Sequence, residues 1–214
     1  MTAVAVSRVH HPVTTLGPGR RVGVWFQGCS VRCPGCISPD TWEPGRSLTS
    51  VGELVDALSC LSPISDGLTV SGGEPFDQPE ALAELLTAWR AITSADVLVF
   101  TGHPFARLAD WLTLHPGLID ALVAGPFLKD ASQSLALRGS DNQTLHLLTS
   151  LGRRNFASYE RRATRADLRL DAMFDADGGV WFAGIPARGD FDRLRQRLRA
   201  SGHQLILTER TTRL

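Results

Sequence analysis

Four short runs rich in β-branched and apolar residues limit what this chain can fold into: "VGVWFQ" (22 to 27), "GLTVS" (67 to 71), "DVLVFT" (96 to 101) and "IDALVA" (119 to 124). Each reads as a buried strand. Segments with helical periodicity separate them. Ser50 and Glu53 have capping-box spacing ahead of a stripe formed by Val51, Leu54, Val55, Leu58 and Leu61. Pro79 suits the opening of a helix whose Leu82, Leu85, Leu86 and Trp89 face a core. A third helix is predicted from about Pro104 to Leu114. Repeated β-α units imply an α/β fold with a parallel sheet or partial barrel, and ligands of such folds sit at the carboxyl ends of the strands.

The chain has 214 residues, 43% of them hydrophobic, enough to bury a core. The N-terminal "MTAVAVSRVHHPVTT" lacks a long apolar run behind a basic start, and nowhere are eighteen apolar residues consecutive. A soluble, cytoplasmic protein is expected, without membrane contact. Charge is balanced at 22 cations and 22 anions, but residues 1–150 hold 9 against 14 and residues 151–214 hold 13 against 8. The basic tail has neither aromatic interleaving nor a nucleic-acid motif, so it reads as a solvated face or a docking surface for an acidic partner.

"GCSVRCPGC" (28 to 36) places Cys29, Cys33 and Cys36 on one loop directly after the first of these strands, and Cys60 is the only other cysteine. In a reducing compartment such a cluster points to metal or redox chemistry rather than a disulfide framework. Gly28, Pro34 and Gly35 keep the loop out of helical geometry and let its backbone wrap closely around an object. Three thiolates can hold three irons of a cubane and leave the fourth open to an outside ligand. The "GGEP" after the second run is expected to open onto the same rim.

Cys29-x3-Cys33-x2-Cys36, about 35 residues before "SGGEP" (71 to 75), resembles the signature of the radical S-adenosylmethionine enzymes. "GPGRRVGVWFQGC", "CPGC…TW", "LTVSGGEP", "VFTGHP", "IDALVAGPF" and "LRGSDNQ" together resemble their glycyl-radical-enzyme activases, in the same order over roughly residues 16 to 148. The resemblance implies a partial (β/α) barrel over residues 1–155, with a small C-terminal α+β extension over 156–214. It implies one 4Fe-4S cluster on Cys29, Cys33 and Cys36, and S-adenosylmethionine chelated to the open iron. The cofactor's amino group would be received by the Gly72 and Gly73 backbone and the Glu74 carboxylate. Gly35, Ile37, Pro75, His103, Arg138, Ser140 and Asn142 are further candidates around the cofactor. No side chain is assigned catalysis, which rests on the cluster and cofactor: one electron splits S-adenosylmethionine into methionine and a 5′-deoxyadenosyl radical, which takes hydrogen from a glycine of the partner. The implied partners are a glycyl-radical enzyme, here an anaerobic ribonucleotide reductase, and a flavodoxin- or ferredoxin-type electron donor.

This chain departs from the family pattern at Ile37 and Ser38, where an aromatic residue and an asparagine are usual. It also departs in the tail, where "LRLDAMFDADGGVWFAGIP" reads as a hairpin turning at Asp177, Gly178 and Gly179, followed by a helix around Phe191 to Ala200 and a strand "QLILTE". Blander readings stand beside these. The triplet could be a zinc knuckle completed by Cys60, His10 or His11, although Cys60 reads as a small packed residue. His103 could cap loop backbone, and Arg138, Ser140, Asn142 and Gln143 could be a polar turn. Two other functions compete with the activase: a radical enzyme acting directly on a small molecule or peptide, and a non-catalytic iron–sulfur or zinc module.

Overall fold

The computed structural model describes residues 2–174 and 179–202. A seven-stranded sheet forms its centre, built from β1 (Ala3–Val13), β2 (Arg21–Phe26), β3 (Leu48–Ser50), β4 (Gly67–Gly72), β5 (Asp96–Thr101), β6 (Ala121–Ala124) and β7 (Thr144–Leu147), in the order β3-β1-β2-β4-β5-β6-β7. β2, β4, β5 and β6 run parallel; β1 and β7 join them antiparallel, and β3 pairs antiparallel with β1. The helices are α1 (Val51–Leu61), α2 (Pro79–Ile92), α3 (Ala109–Leu114), α4 (Ser150–Phe156) and α5 (Asp190–Ala200), and a separate hairpin pairs β8 (Leu170–Phe174) with β9 (Val180–Gly184).

Strand periodicity sorts the core into two layers. Val22, Val24 and Phe26 of β2, with Val97 and Val99 of β5 and Leu122 of β6, pack with Leu54, Leu58, Leu82, Leu85 and Trp89 of α1 and α2. Alternate residues point the other way. Leu98, Ala121 and Val123 meet Leu137, Leu145 and Phe156, while Trp25 meets Met173, Ala183 and Ile185 of the hairpin region. Both faces of the central strands are therefore covered, which is why they read as nearly continuous apolar runs.

At the end of the sheet away from the cysteine loop, fully buried Arg21 is tied to Asp96 (2.6 Å), the Thr69 hydroxyl (2.6 Å) and the Leu68 carbonyl (2.8 Å). α1 starts with the expected capping box: the Ser50 hydroxyl accepts from the Glu53 N–H (3.2 Å), and the Glu53 carboxylate accepts from the Ser50 N–H (3.0 Å).

Several expectations need correction. The sheet is mixed rather than wholly parallel, because β1, an unanticipated strand, lies antiparallel to β2 and carries β3 outside it. Between buried Ala5 and buried Val13 its residues are only half-buried and include Ser7, Arg8, His10 and His11, so the segment lacks the longer apolar run of the central strands. The predicted third helix is broken: a 3-10 turn over Phe105–Leu108 precedes α3. Cys60 is exposed rather than packed. It lies two residues beyond buried Leu58, about 200° around the helix from the apolar stripe. The strand predicted at 204 to 209 and most of the hairpin turn lie outside the described residues. No helix among the described residues is long and apolar enough to cross a membrane.

Candidate iron–sulfur and cofactor site

The cysteine loop leaves the carboxyl end of β2, and the GGEP segment leaves the carboxyl end of its parallel neighbour β4. The two are fastened backbone to backbone. Gly73 N–H donates to the Phe26 carbonyl and Glu74 N–H to the Gly28 carbonyl, both at 2.8 Å. Gly28 N–H and Cys29 N–H donate in turn to the carbonyls of Thr41 (2.7 Å) and Trp42 (3.0 Å). No side chain fits at this crossing: a Cβ on Gly73 would overlap the Gly28 carbonyl oxygen, and one on Gly72 (φ +105°) would lie 2.5 Å from Phe26 backbone atoms. The glycines that the sequence reading assigned to close approach of a cofactor thus also permit close approach of two loops.

Cys29, Cys33 and Cys36 all line one cavity of about 430 Å³, together with Gly35, Ile37, Gly72, Gly73 and Glu74. That volume lies in the range of roughly 300–1,000 Å³ usual for small-molecule sites. Arg32 (φ 47°) and Gly35 (φ 78°) turn the loop through left-handed backbone. The amides of Arg32 and Ser38 point at the sulfurs of Cys29 (3.5 Å) and Cys36 (3.4 Å). Burial pushes all three thiols above their ordinary pKa, against the lowering effect of these amides on Cys29 and Cys36 and of the Phe127 backbone on Cys33. Among the described residues no three His, Cys, Asp or Glu side chains converge as ligands of a single metal ion would. Thiolates that each take a different iron of a cluster are spread more widely, so this donor set fits a cluster. It does not favour a zinc knuckle, since Cys60 sits on the exposed side of α1, and neither it nor His10 or His11 of β1 lines the cavity.

Glu74 is 1% exposed. Its Oε1 accepts from the Phe76 N–H (3.1 Å) and the Thr101 hydroxyl (2.8 Å), and its Oε2 from the Gly102 N–H (2.8 Å). Burial pushes its carboxyl pKa up despite these donors and the nearby His103. With about four lone-pair sites on a carboxylate, three engaged donors leave room for one more. The side chain is thus both a tie between the ends of β4 and β5 and a cavity wall.

The other candidates divide. Pro75, itself buried, opens a 3-10 turn over Pro75–Asp77. His103 is buried, takes its N–H to the Thr101 hydroxyl (3.0 Å) and holds Nε2 3.7 Å from Asp77. Arg138 is buried on Glu160 (2.8 Å), and the Ser140 hydroxyl accepts from the Leu128 N–H (3.1 Å). Exposed Asn142 donates to the Pro126 carbonyl (2.7 Å). None of these five lines the cavity. Gln143 does, bridging the Gly139 N–H (2.9 Å) and the Gly125 carbonyl (3.0 Å). Thr101 and Gly102 were missed, although the strand-end rule that located GGEP applies equally to "VFTGH". Trp25, Phe127, Lys129 and the stretch from Phe182 to Asp192 also line the cavity. Trp25 and Phe127 fall inside the "VGVWFQ" and "IDALVAGPF" segments, whereas no local motif marks Lys129 or the later stretch.

An α/β sheet that gathers three thiols and a buried carboxylate at the carboxyl ends of two parallel strands defines a protein built around one iron–sulfur centre. The chain belongs to the 4Fe-4S single cluster domain family, whose model matches residues 15–146. It is 32% identical over 149 residues to the anaerobic ribonucleoside-triphosphate reductase-activating protein of Escherichia coli strain K12, a match covering 65% of this chain and 96% of that protein. The protein of the same name from Vibrio cholerae is 30% identical over 151 residues, with the same coverage. A shorter match, 46% identical over 76 residues, reaches the pyruvate formate-lyase-activating enzyme of Clostridium pasteurianum and covers 33% of this chain and 32% of that enzyme. The resemblance drawn from the motifs is borne out by these relatives.

Proposed function

We propose that this protein is a radical S-adenosylmethionine enzyme that generates a glycyl radical on a partner, an anaerobic ribonucleoside-triphosphate reductase. The observation that carries this reading is the convergence of Cys29, Cys33, Cys36, Gly72, Gly73 and Glu74 on one cavity, in a chain that spans nearly the whole length of reductase-activating relatives. The sheet is read as the partial (β/α) barrel of this class, with residues 1–155 as core and 156–214 as extension.

When bound, the cluster and S-adenosylmethionine supply one-electron cleavage of the cofactor and abstraction of a hydrogen atom from a glycine. The chain's own residues bind and orient. Cys29, Cys33 and Cys36 would hold the cluster as thiolates, each giving up its proton to bind iron. The one acceptor site left on Glu74 suits an ammonium hydrogen, and a charge-assisted bond there would fix the cofactor's amino group. Gly35 and Ile37 complete the wall beside the cluster, while Pro75, His103, Arg138, Ser140 and Asn142 act from behind it by holding the rim loops in place. A glycine suits the target because its α-hydrogen can approach without a side chain in the way.

The test is incubation of the reduced, reconstituted protein and S-adenosylmethionine with the candidate reductase. A glycine-centred radical is expected by electron paramagnetic resonance, and Gly→Ala in the reductase should abolish it. Cofactor cleavage with no radical on any candidate partner, and alteration of a small metabolite instead, would replace the activase reading with the direct-substrate one.

A further inference from the structure

The family model ends at residue 146, and relatives that are 96% covered account for only 65% of this chain, so the C-terminal extension is additional to them. It does not stand apart from the site. Phe182, Ile185, Arg188 and Phe191 line the same cavity as the three cysteines.

Two sets of contacts hold this segment in place. At the hairpin, the Asp171 carboxylate accepts from the Thr14 N–H (2.6 Å) and the Thr14 and Thr15 hydroxyls (2.8 and 3.0 Å), while Trp181 packs edge-on against Trp25, centroids 5.1 Å apart. Gly184 (φ 136°) then bends the chain out of β9, and a Cβ there would overlap the Arg169 carbonyl. At the far end the Arg188 guanidinium donates to the carbonyls of Leu128 (3.4 Å), Lys129 and Ala131 (2.6 Å), and lies over the Phe127 ring. Gln133 Nε2 donates to the Pro186 carbonyl (2.9 Å). Arg188 is exposed and its partners are loop carbonyls, so water can take its place without any buried group losing a partner. The latch is therefore separable from the core.

We propose that Phe182 to Asp192 forms a wall across the cluster cavity, that Arg188 is the residue positioning it, and that the wall admits only a slender extended segment. The occupant rests on the function proposed above: a glycine-bearing loop of a protein partner, presented as bare backbone. A cluster and a nucleoside-containing cofactor would take up much of the about 430 Å³ here, so a third group reaches the reacting atoms only through the space they leave beside the wall. Phe182, Ile185 and Phe191 give the wall apolar surface, and its charged residues are already engaged, Arg188 on loop carbonyls, Asp190 by Arg193 and Asp192 by Arg195, so it suits a peptide rather than a highly charged metabolite.

The wall is testable without a partner. The full chain is reconstituted anaerobically, and its iron is withdrawn with 1,10-phenanthroline or with the bulkier bathophenanthroline disulfonate. Wild type should yield iron to the bulky chelator at least about tenfold more slowly, a factor equivalent to about 1.4 kcal/mol. Arg188→Ala should narrow that ratio several-fold, and Arg188→Ala with Gln133→Ala should bring it near unity, with unfolding temperatures close to wild type. No size discrimination in wild type, or an unchanged ratio in the double variant, overturns the wall. With the partner, Arg188→Ala should raise its KM and the number of cofactor molecules cleaved per glycyl radical. If both stay unchanged while chelator discrimination collapses, selection of the partner segment is overturned. If wild type gives no radical on any partner, the activase reading and the assigned occupant fail together, and the chelator ratio still judges the wall.

Discussion

Replacing Gly73 with alanine puts a methyl group onto the Gly28 carbonyl oxygen, and neither atom has a flexible side chain through which to yield. The backbone must separate instead. Forcing extra volume into a packed site costs about 1–3 kcal/mol. Separation also weakens the Gly73-to-Phe26 and Glu74-to-Gly28 hydrogen bonds, worth about 1 kcal/mol each in net terms. The sum, about 3–5 kcal/mol, is a large part of the 5–15 kcal/mol that holds an ordinary domain together. For a chain of this length it corresponds to a melting point lowered by roughly 6–20 °C. Because the same two bonds fasten the cysteine loop to β4, cluster content after anaerobic reconstitution should fall as well. Thermal unfolding and iron analysis of Gly73→Ala read the two effects. A variant with wild-type melting temperature and a full cluster would refute the claim that close backbone contact, rather than cofactor access alone, demands glycine here.

Glu74→Gln should weaken S-adenosylmethionine binding in a cofactor titration, and it should also cost about 1–3 kcal/mol of stability, since its amide NH₂ must face either the Gly102 N–H or the Phe76 and Thr101 donors. Unchanged affinity would show that the carboxylate only ties β4 to β5. Each of Cys29→Ala, Cys33→Ala and Cys36→Ala should lose the four-iron cluster and its visible band; a full cluster in any one removes that residue from the ligand set. Burial raises the three thiol pKa values, so the cluster-free protein keeps their contribution to stability below the ordinary thiol value of about 8.5 and loses it as pH rises through the raised values. Melting temperature of the cluster-free chain should drop on that alkaline side. Iron loading should release protons, and a pH-stat reading of no release contradicts buried neutral thiols.

The sequence by itself determined the elements with strong local signals. Ser50 and Glu53 announce α1 because a capping box is made within four residues, and the apolar runs of β2, β4, β5 and β6 announce strands buried on both faces. It also determined the cysteine loop and GGEP as partners, since ligands of parallel sheets gather at strand carboxyl ends. Three things required the tertiary structure. β1 is recognised by pairing with β2 and with β3, the latter more than forty residues away, and not by its own half-polar pattern. Glu74 appears in the sequence as a candidate cofactor ligand, yet whether its lone pairs are free depends on where Thr101 and Gly102 fall, 27 and 28 residues on. The extension shows no motif that ties it to the cysteines. Its place over the cavity comes from Arg188 reaching carbonyls 57 to 60 residues earlier and from Trp181 meeting Trp25. Periodicity and motif spacing encode local geometry, whereas contacts across such separations exist only once the sheet has brought the segments together.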